Sequence, residues 1–148
     1  MINSSEDIHD IWDDFMPLPN ASTTLSREVS VSDLASSFAD SPGESYPEVL
    51  CSPAMLSLME RACADLLKGD AAPDHLSVGV STKFEHLAPT ALGETITATA
   101  TFSRQERHLF WFDVSVSDAS GIVGRGSHAR ALVSRETIEQ TARKRAHH

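Results

Sequence analysis

Four polar side chains stand where chemistry could be done: Ser52, Glu60, His86 and Arg130. Ser52 precedes Pro53 and a run of helix-periodic apolar residues, so it reads as the N-cap of a helix with proline at the first helical position. The same place has a functional reading, because a hydroxyl beside the positive end of a helix stands where an oxyanion could develop. Glu60 follows two turns later, on the border between the apolar and polar faces. A carboxylate there is ordinarily a solvated flank, but it can also look into a cleft. His86 has the parity of Val80, Thr82 and Phe84, which puts it on the core-facing side of a strand, either as a hydrogen-bonded core residue or as a base. Arg130 shares a strand face with His128, and pointing inward it would need a carboxylate or a backbone carbonyl. Singly none of these decides anything. Together a hydroxyl, a carboxylate and an imidazole bracketing one helix and its neighbouring strand are the inventory for acyl transfer.

The elements that must position them follow from periodicity. Met55, Leu58, Met59, Ala62, Cys63 and Leu66 recur at helical spacing, so Ser52 to Lys68 is expected to be a helix, stopped by Gly69 and Pro73. The period then changes to two. Leu76–Phe84, Ile96–Phe102 and Phe110–Val116 alternate apolar with polar residues, and a last strand is expected over about Ile122–Val133. Leu25–Val31 reads as a short first strand, residues 36–47 as a loop, and Glu136–Ala146 as a basic-ended helix or frayed tail. The domain reading is an acidic, loosely ordered arm over 1–24 with Trp12 and Phe15 as anchors, one domain over 25–135, and a C-terminal helix or tail over 136–148. A lone helix with an apolar face needs a partner, and only the sheet is large enough. The expected class is therefore α+β, a curved antiparallel β-sheet wrapped around one long central α-helix in a hotdog-like fold. A cone-shaped α+β ligand-binding fold is the alternative.

Composition narrows the function. The chain has 148 residues, 41% of them hydrophobic, enough for one domain with a core. Lys and Arg number 12 against 21 Asp and Glu, a net charge of −9, so phosphate backbones are repelled and nucleic acid is not an expected partner. No apolar run approaches the ~20 residues that span a bilayer, and an acidic N-terminus is the opposite of an export signal. Cys51 and Cys63 are twelve residues apart, ~18 Å along one helix, too far to pair within the chain. Reduced thiols suit the cytoplasm. The seven histidines show no ligand spacing, so no metal is expected, and there is no phosphate loop.

Tyr46-Pro-Glu-Val-Leu-Cys-Ser52 followed by Leu58-Met59-Glu60 resembles the helix region of fluoroacetyl-CoA thioesterase and its hotdog-fold relatives. The likeness continues through Gly79, His86 seven residues later, and Gly93 seven after that, and closes on Gly126-Ser127-His128-Ala129-Arg130. The resemblance implies a Thr/Glu/His catalytic set, which falls on Ser52, Glu60 and His86 here. It implies that Arg130 helps order the site, that Tyr46 lines the acyl pocket, and that Gly79 lies beside the acyl group. This sequence departs by Ser for Thr, Tyr for Phe at the pocket wall, and Pro53-Ala54 for a Gly-Phe pair. These changes leave thioester hydrolysis intact, while selectivity for a fluorinated two-carbon acyl group does not follow from them.

The implied function is hydrolysis of a small acyl-CoA to acid and free CoA, with no cofactor beyond the CoA carried by the substrate. His86 is expected as general base toward Ser52 or water, and Glu60 as nucleophile or water-positioning group. The resemblance also implies a homodimer with sheets joined edge to edge. A silent acyl-CoA- or lipid-binding hotdog protein and a hydratase-like hotdog enzyme are the alternatives; the second would want an Asp near the helix start, which is absent. Geometrically, Ser52, Glu60 and His86 are expected to converge on one pocket, with His86 between the other two.

Overall fold

The apolar stripe builds the core around one helix. In the computed structural model, which describes residues 17–68 and 72–147, α1 (Ser52–Asp65) carries Met55, Leu58, Met59, Ala62 and Cys63, each at most 1% exposed. Burying a side chain of Leu or Met size is worth about 1.5–3 kcal/mol, so this stripe fixes the helix in place. Its start differs from the sequence reading. Cys51, not Ser52, is the N-cap, and its Sγ accepts from the Ala54 N–H at 3.4 Å. The cause is long-range: the N–H groups of Leu50 and Cys51 donate to the carbonyls of Thr90 and Asp33, each at 2.9 Å. Those bonds hold the chain extended through Cys51, so Ser52 is already helical and its hydroxyl is not spent on a cap. The expected stop at Gly69 lies outside the described residues.

Five strands wrap the helix: β1 (Ser22–Glu28), β2 (His75–His86), β3 (Thr95–Glu106), β4 (Leu109–Asp118) and β5 (Gly121–Ser134). They form one sheet in the order β1-β3-β4-β5-β2 with every neighbouring pair antiparallel. The first strand spans Ser22–Glu28, three residues earlier at each end than expected, and Trp12 and Phe15 lie outside the described residues. Ile96, Ala98, Ala100 and Phe102 of β3 and Phe110, Phe112, Val114 and Val116 of β4 are buried on the face that meets α1. This is the α+β hotdog arrangement.

The alternation in β2 hides one irregularity. A bulge between Gly79 and Ser81 shifts its register against β5 and reverses the faces. After the bulge Thr82, Phe84 and His86 face inward, as expected. Before it the inward residues are Ser77 and Gly79, paired with Leu132 and Arg130, because cross-strand partners share a face. The apolar parity of Leu76, Val78 and Val80 therefore does not line the core, and Val80 is 54% exposed. The strand β2 is also one edge of the sheet. At the C-terminus α2 (Arg135–Ala146) is a formed helix, capped by the Ser134 hydroxyl and ending on Arg143, Lys144 and Arg145, where cations favour the helix dipole.

Candidate active site

Two clusters of polar side chains flank α1. The first is at its start. The Ser52 hydroxyl, free of capping duty, lies 2.9 Å from His86 Nδ1 at the end of β2. The pair opens into a cavity of about 420 Å³ whose walls include Ala35, Phe38, Tyr46, Val49 and Pro53. Phe38 and Tyr46 are each about half exposed, at 51% and 47%, and the apolar wall can take an acyl group. With the hydroxyl donating, Nδ1 holds the lone pair that a general base needs.

The second cluster lies farther along α1. Glu60 Oε1 is 3.8 Å from His128 Nε2 and occupies the space over Gly79; a Cβ there would sit 2.6 Å from that oxygen. A side chain at position 79 would thus displace this carboxylate. Arg130, only 8% exposed, donates from Nε to Ser77 Oγ at 2.8 Å, from Nη2 to the Ser77 carbonyl at 3.0 Å, and from Nη1 to His128 Nε2 at 3.0 Å. The carbonyl that an inward arginine demands is therefore that of Ser77. His128, 1% exposed, has its Nδ1 2.6 Å from Thr82 Oγ1. Burial lowers its pKa and the Arg130 charge lowers it further, against Glu60, which raises it. Burial likewise lowers the Arg130 pKa, while the Glu60 charge supports the cation. The buried thiol of Cys63 below them is pushed up to about 12 by desolvation.

Within one chain, then, Ser52, His86 and Tyr46 come together, and Glu60, Gly79 and Arg130 come together, but the two groups are separate. The expected convergence of Ser52, Glu60 and His86 on one pocket is not found. The reason is directional. The helix α1 and the strand β2 run in opposite senses, so the start of one meets the end of the other. Ser52 to Glu60 is a rise of ~12 Å in a helix, and Gly79 to His86 is ~23 Å in a strand. Sequence reasoning also assigned no role to His128, Thr82 or Ser77. The i, i+2 spacing of His128 and Arg130 on one strand face was the available signal. Among the described residues no group of three His, Cys, Asp or Glu gathers as a metal site.

A family model described as fluoroacetyl-CoA-specific thioesterase (FlK) matches residues 29–136. The fluoroacetyl-CoA thioesterase of Streptantibioticus cattleyicolor is 34% identical over 101 residues, covering 68% of this chain and 72% of that protein. The chain belongs to the fluoroacetyl-CoA-specific thioesterase family. The family match runs from the end of β1 to the start of α2 and so takes in both clusters. Among solved structures, the fluoroacetyl-CoA thioesterase FlK superposes with a TM-score of 0.80 at 28% identity, over 85% of this chain and 95% of that one. A hot-dog-like protein from Thermanaerovibrio acidaminovorans gives 0.76 at 26% identity, over 86% and 92%. A thioesterase superfamily member from Thermus thermophilus, at 14% identity, shares the fold with a TM-score of 0.80 over 89% and 95%.

Proposed function

We propose that this family member hydrolyses a small acyl-CoA thioester to the carboxylic acid and free CoA. The observation that carries the reading is the Ser52–His86 hydrogen bond at the mouth of an apolar cavity, at the N-terminus of α1. His86 Nδ1 takes a proton from Ser52 or from a water as oxygen attacks the thioester carbonyl. The Ser52 N–H and the positive end of α1 hold the developing oxyanion, since Pro53 has no N–H and those of Ala54 and Met55 already bond Cys51. The C–S bond then breaks, and the proton held by His86 passes to the departing thiolate. Where water attacked, the acid forms directly; where Ser52 attacked, His86 deprotonates a water that hydrolyses the acyl-serine to the acid and restores the Ser52 hydroxyl. Tyr46 walls the acyl end, and Arg130 and Gly79 order the neighbourhood of Glu60. The chemistry needs no metal or redox cofactor, and the CoA belongs to the substrate. The free thiols of Cys51 and Cys63 suit the cytoplasm as its place of work.

The catalytic unit is a homodimer. An unprotected edge strand as long as β2 invites pairing with its own copy. A two-fold axis near Thr82 and Lys83, midway between Gly79 and His86, sets His86 of one subunit opposite Gly79 of the partner subunit. Glu60 of the partner subunit then approaches the Ser52–His86 pair, either positioning the attacking water or acting as a nucleophile whose acyl anhydride is cleaved by a water that His86 deprotonates. Each site is thus shared, and the separation of the two clusters within one chain is the consequence.

The test is thiol release from a panel of acyl-CoA esters of increasing acyl length, with Ser52→Ala and His86→Ala as controls. Release by the wild-type protein, lost in His86→Ala, supports the reading. Binding of acyl-CoA without release by the wild-type protein contradicts it and favours a non-catalytic binder.

A further inference from the structure

The second cluster contains a histidine whose hydrogen bonds admit only one protonation state. Arg130 Nη1 lies 3.0 Å from His128 Nε2, and a guanidinium has N–H donors and no acceptor. The Nε2 atom must therefore carry the lone pair. An imidazolium would set two donors against each other, so the ring is neutral and its proton is on Nδ1, which donates to Thr82 Oγ1 at 2.6 Å. The groups facing this ring come from three elements: Thr82 on β2, Arg130 on β5 and Glu60 on α1. Glu60 and the Ser81 backbone favour a second proton, but Arg130 occupies the nitrogen that would take it.

Arg130 is in turn oriented through three of its five N–H groups, two by Ser77 and one by His128. The two left over are on the terminal nitrogens, and Nη1 is 3.6 Å from the place a Cβ on Gly79 would take. Glu60 Oε1 lies 2.6 Å from that same place. Without the acceptor on His128 the guanidinium could swing about its Ser77 contacts.

We propose that His128 is a positioning residue, a permanently neutral Nδ1–H imidazole that fixes the Arg130 guanidinium over Gly79 beside the Glu60 carboxylate. It touches no reacting atom and acts through Arg130. This role rests on the thioesterase reading above.

The experiment compares wild type, His128→Leu and His128→Asn by thiol release from the best acyl-CoA, with thermal melting of each and nitrogen NMR of histidine-labelled wild type. His128→Leu, which keeps bulk and loses the acceptor, should lower kcat by about 10–100-fold, the scale of a misplaced catalytic geometry. His128→Asn can still accept from Arg130 and should recover most of that loss, which a purely space-filling role would not produce. The wild-type spectrum should show one histidine as the neutral Nδ1–H tautomer, unchanged from about pH 5.5 to about pH 8. A folded His128→Leu protein with wild-type kcat overturns the proposal, as does a spectrum in which every histidine titrates or in which the buried one is protonated on Nε2. Failure of wild type to release thiol from any acyl-CoA sinks the thioesterase reading and the positioning role with it. An active wild type with an unaffected His128→Leu variant sinks the positioning role alone.

Discussion

Glu60 and His86 stand at opposite ends of the same helix–strand pair. Glu60 rests over Gly79, and His86 is seven residues farther along β2, at the level of the helix start where Ser52 meets it. A single chain therefore holds two separate polar clusters, an imidazole–hydroxyl pair beside an apolar cavity and a carboxylate near a buried histidine and arginine. The exposed edge of β2 is the shortest route by which a second copy can join them.

The Ser52–His86 pair separates catalysis from stability. Because Cys51 caps α1, Ser52→Ala removes no cap and should leave the stability within about 0.5 kcal/mol of wild type. His86→Ala should lower kcat by about 10²–10⁴ with little change in KM. Steady-state kinetics and melting curves on the same preparations check both statements.

Gly79→Ala tests the placement of the carboxylate. The new Cβ would lie 2.6 Å from Glu60 Oε1, the end of a flexible side chain, and 3.2 Å from His128 Cε1, so Glu60 moves, the His128 ring gives by a few tenths of an ångström and the backbone stays. Activity should fall by at least about tenfold, since small displacements of a reacting group are costly. The melting temperature should change by only a few degrees, about 1 kcal/mol or less. A variant as active as wild type would show that Glu60 has no positional role.

Stability should depend on pH in two steps. His128 has a folded pKa below its ordinary value, because burial and the Arg130 charge oppose protonation. The unfolded chain therefore binds a proton first, and stability falls as pH drops below about 6.5. Asp33 is buried, which alone would raise its pKa, yet the Ser30 N–H and the two-pronged Arg27 contact hold it below 3.8. Its stabilisation is full above the unfolded value and is lost as pH falls below about 4. Melting temperatures across pH check the order, and His128→Asn should flatten the upper step while leaving the lower one.

Much of the fold was legible because its signals are local. The spacing of Met55, Leu58, Met59, Ala62 and Cys63 gave a buried helix, and the alternation around Phe110, Phe112, Val114 and Val116 gave a half-buried strand. What escaped depends on distant partners. Ser52 reads as a cap until Thr90 and Asp33 pull Leu50 and Cys51 into an extended path. The bulge after Gly79 leaves no mark in the alternation, yet it decides that Ser77 and Gly79 face Arg130. The opposed directions of α1 and β2, which part Glu60 from His86, are a matter of topology that residue types do not encode.

Val80 is the natural place to cut the edge contact. It falls in the bulge, without a partner in the ladder to β5, and prolines are tolerated at bulges. Val80→Pro should therefore keep the fold and block pairing of β2 with its copy. Sedimentation should show a dimer for wild type and a monomer for the variant, and thiol release should fall with the dimer fraction. A dimeric, fully active variant would place the interface elsewhere.

The shared site is tested most directly by mixing subunits. Glu60→Gln and His86→Ala are each prepared as homodimers with little activity, then combined and allowed to exchange. Every mixed dimer holds one site with Ser52 and His86 from the first variant and Glu60 from the second, so about a quarter of all sites should become wild type at equal amounts. Thiol release should rise accordingly over that of either variant alone. Exchange demonstrated by labelled subunits with no gain in activity would contradict the account and return Glu60 and His86 to separate roles within one chain.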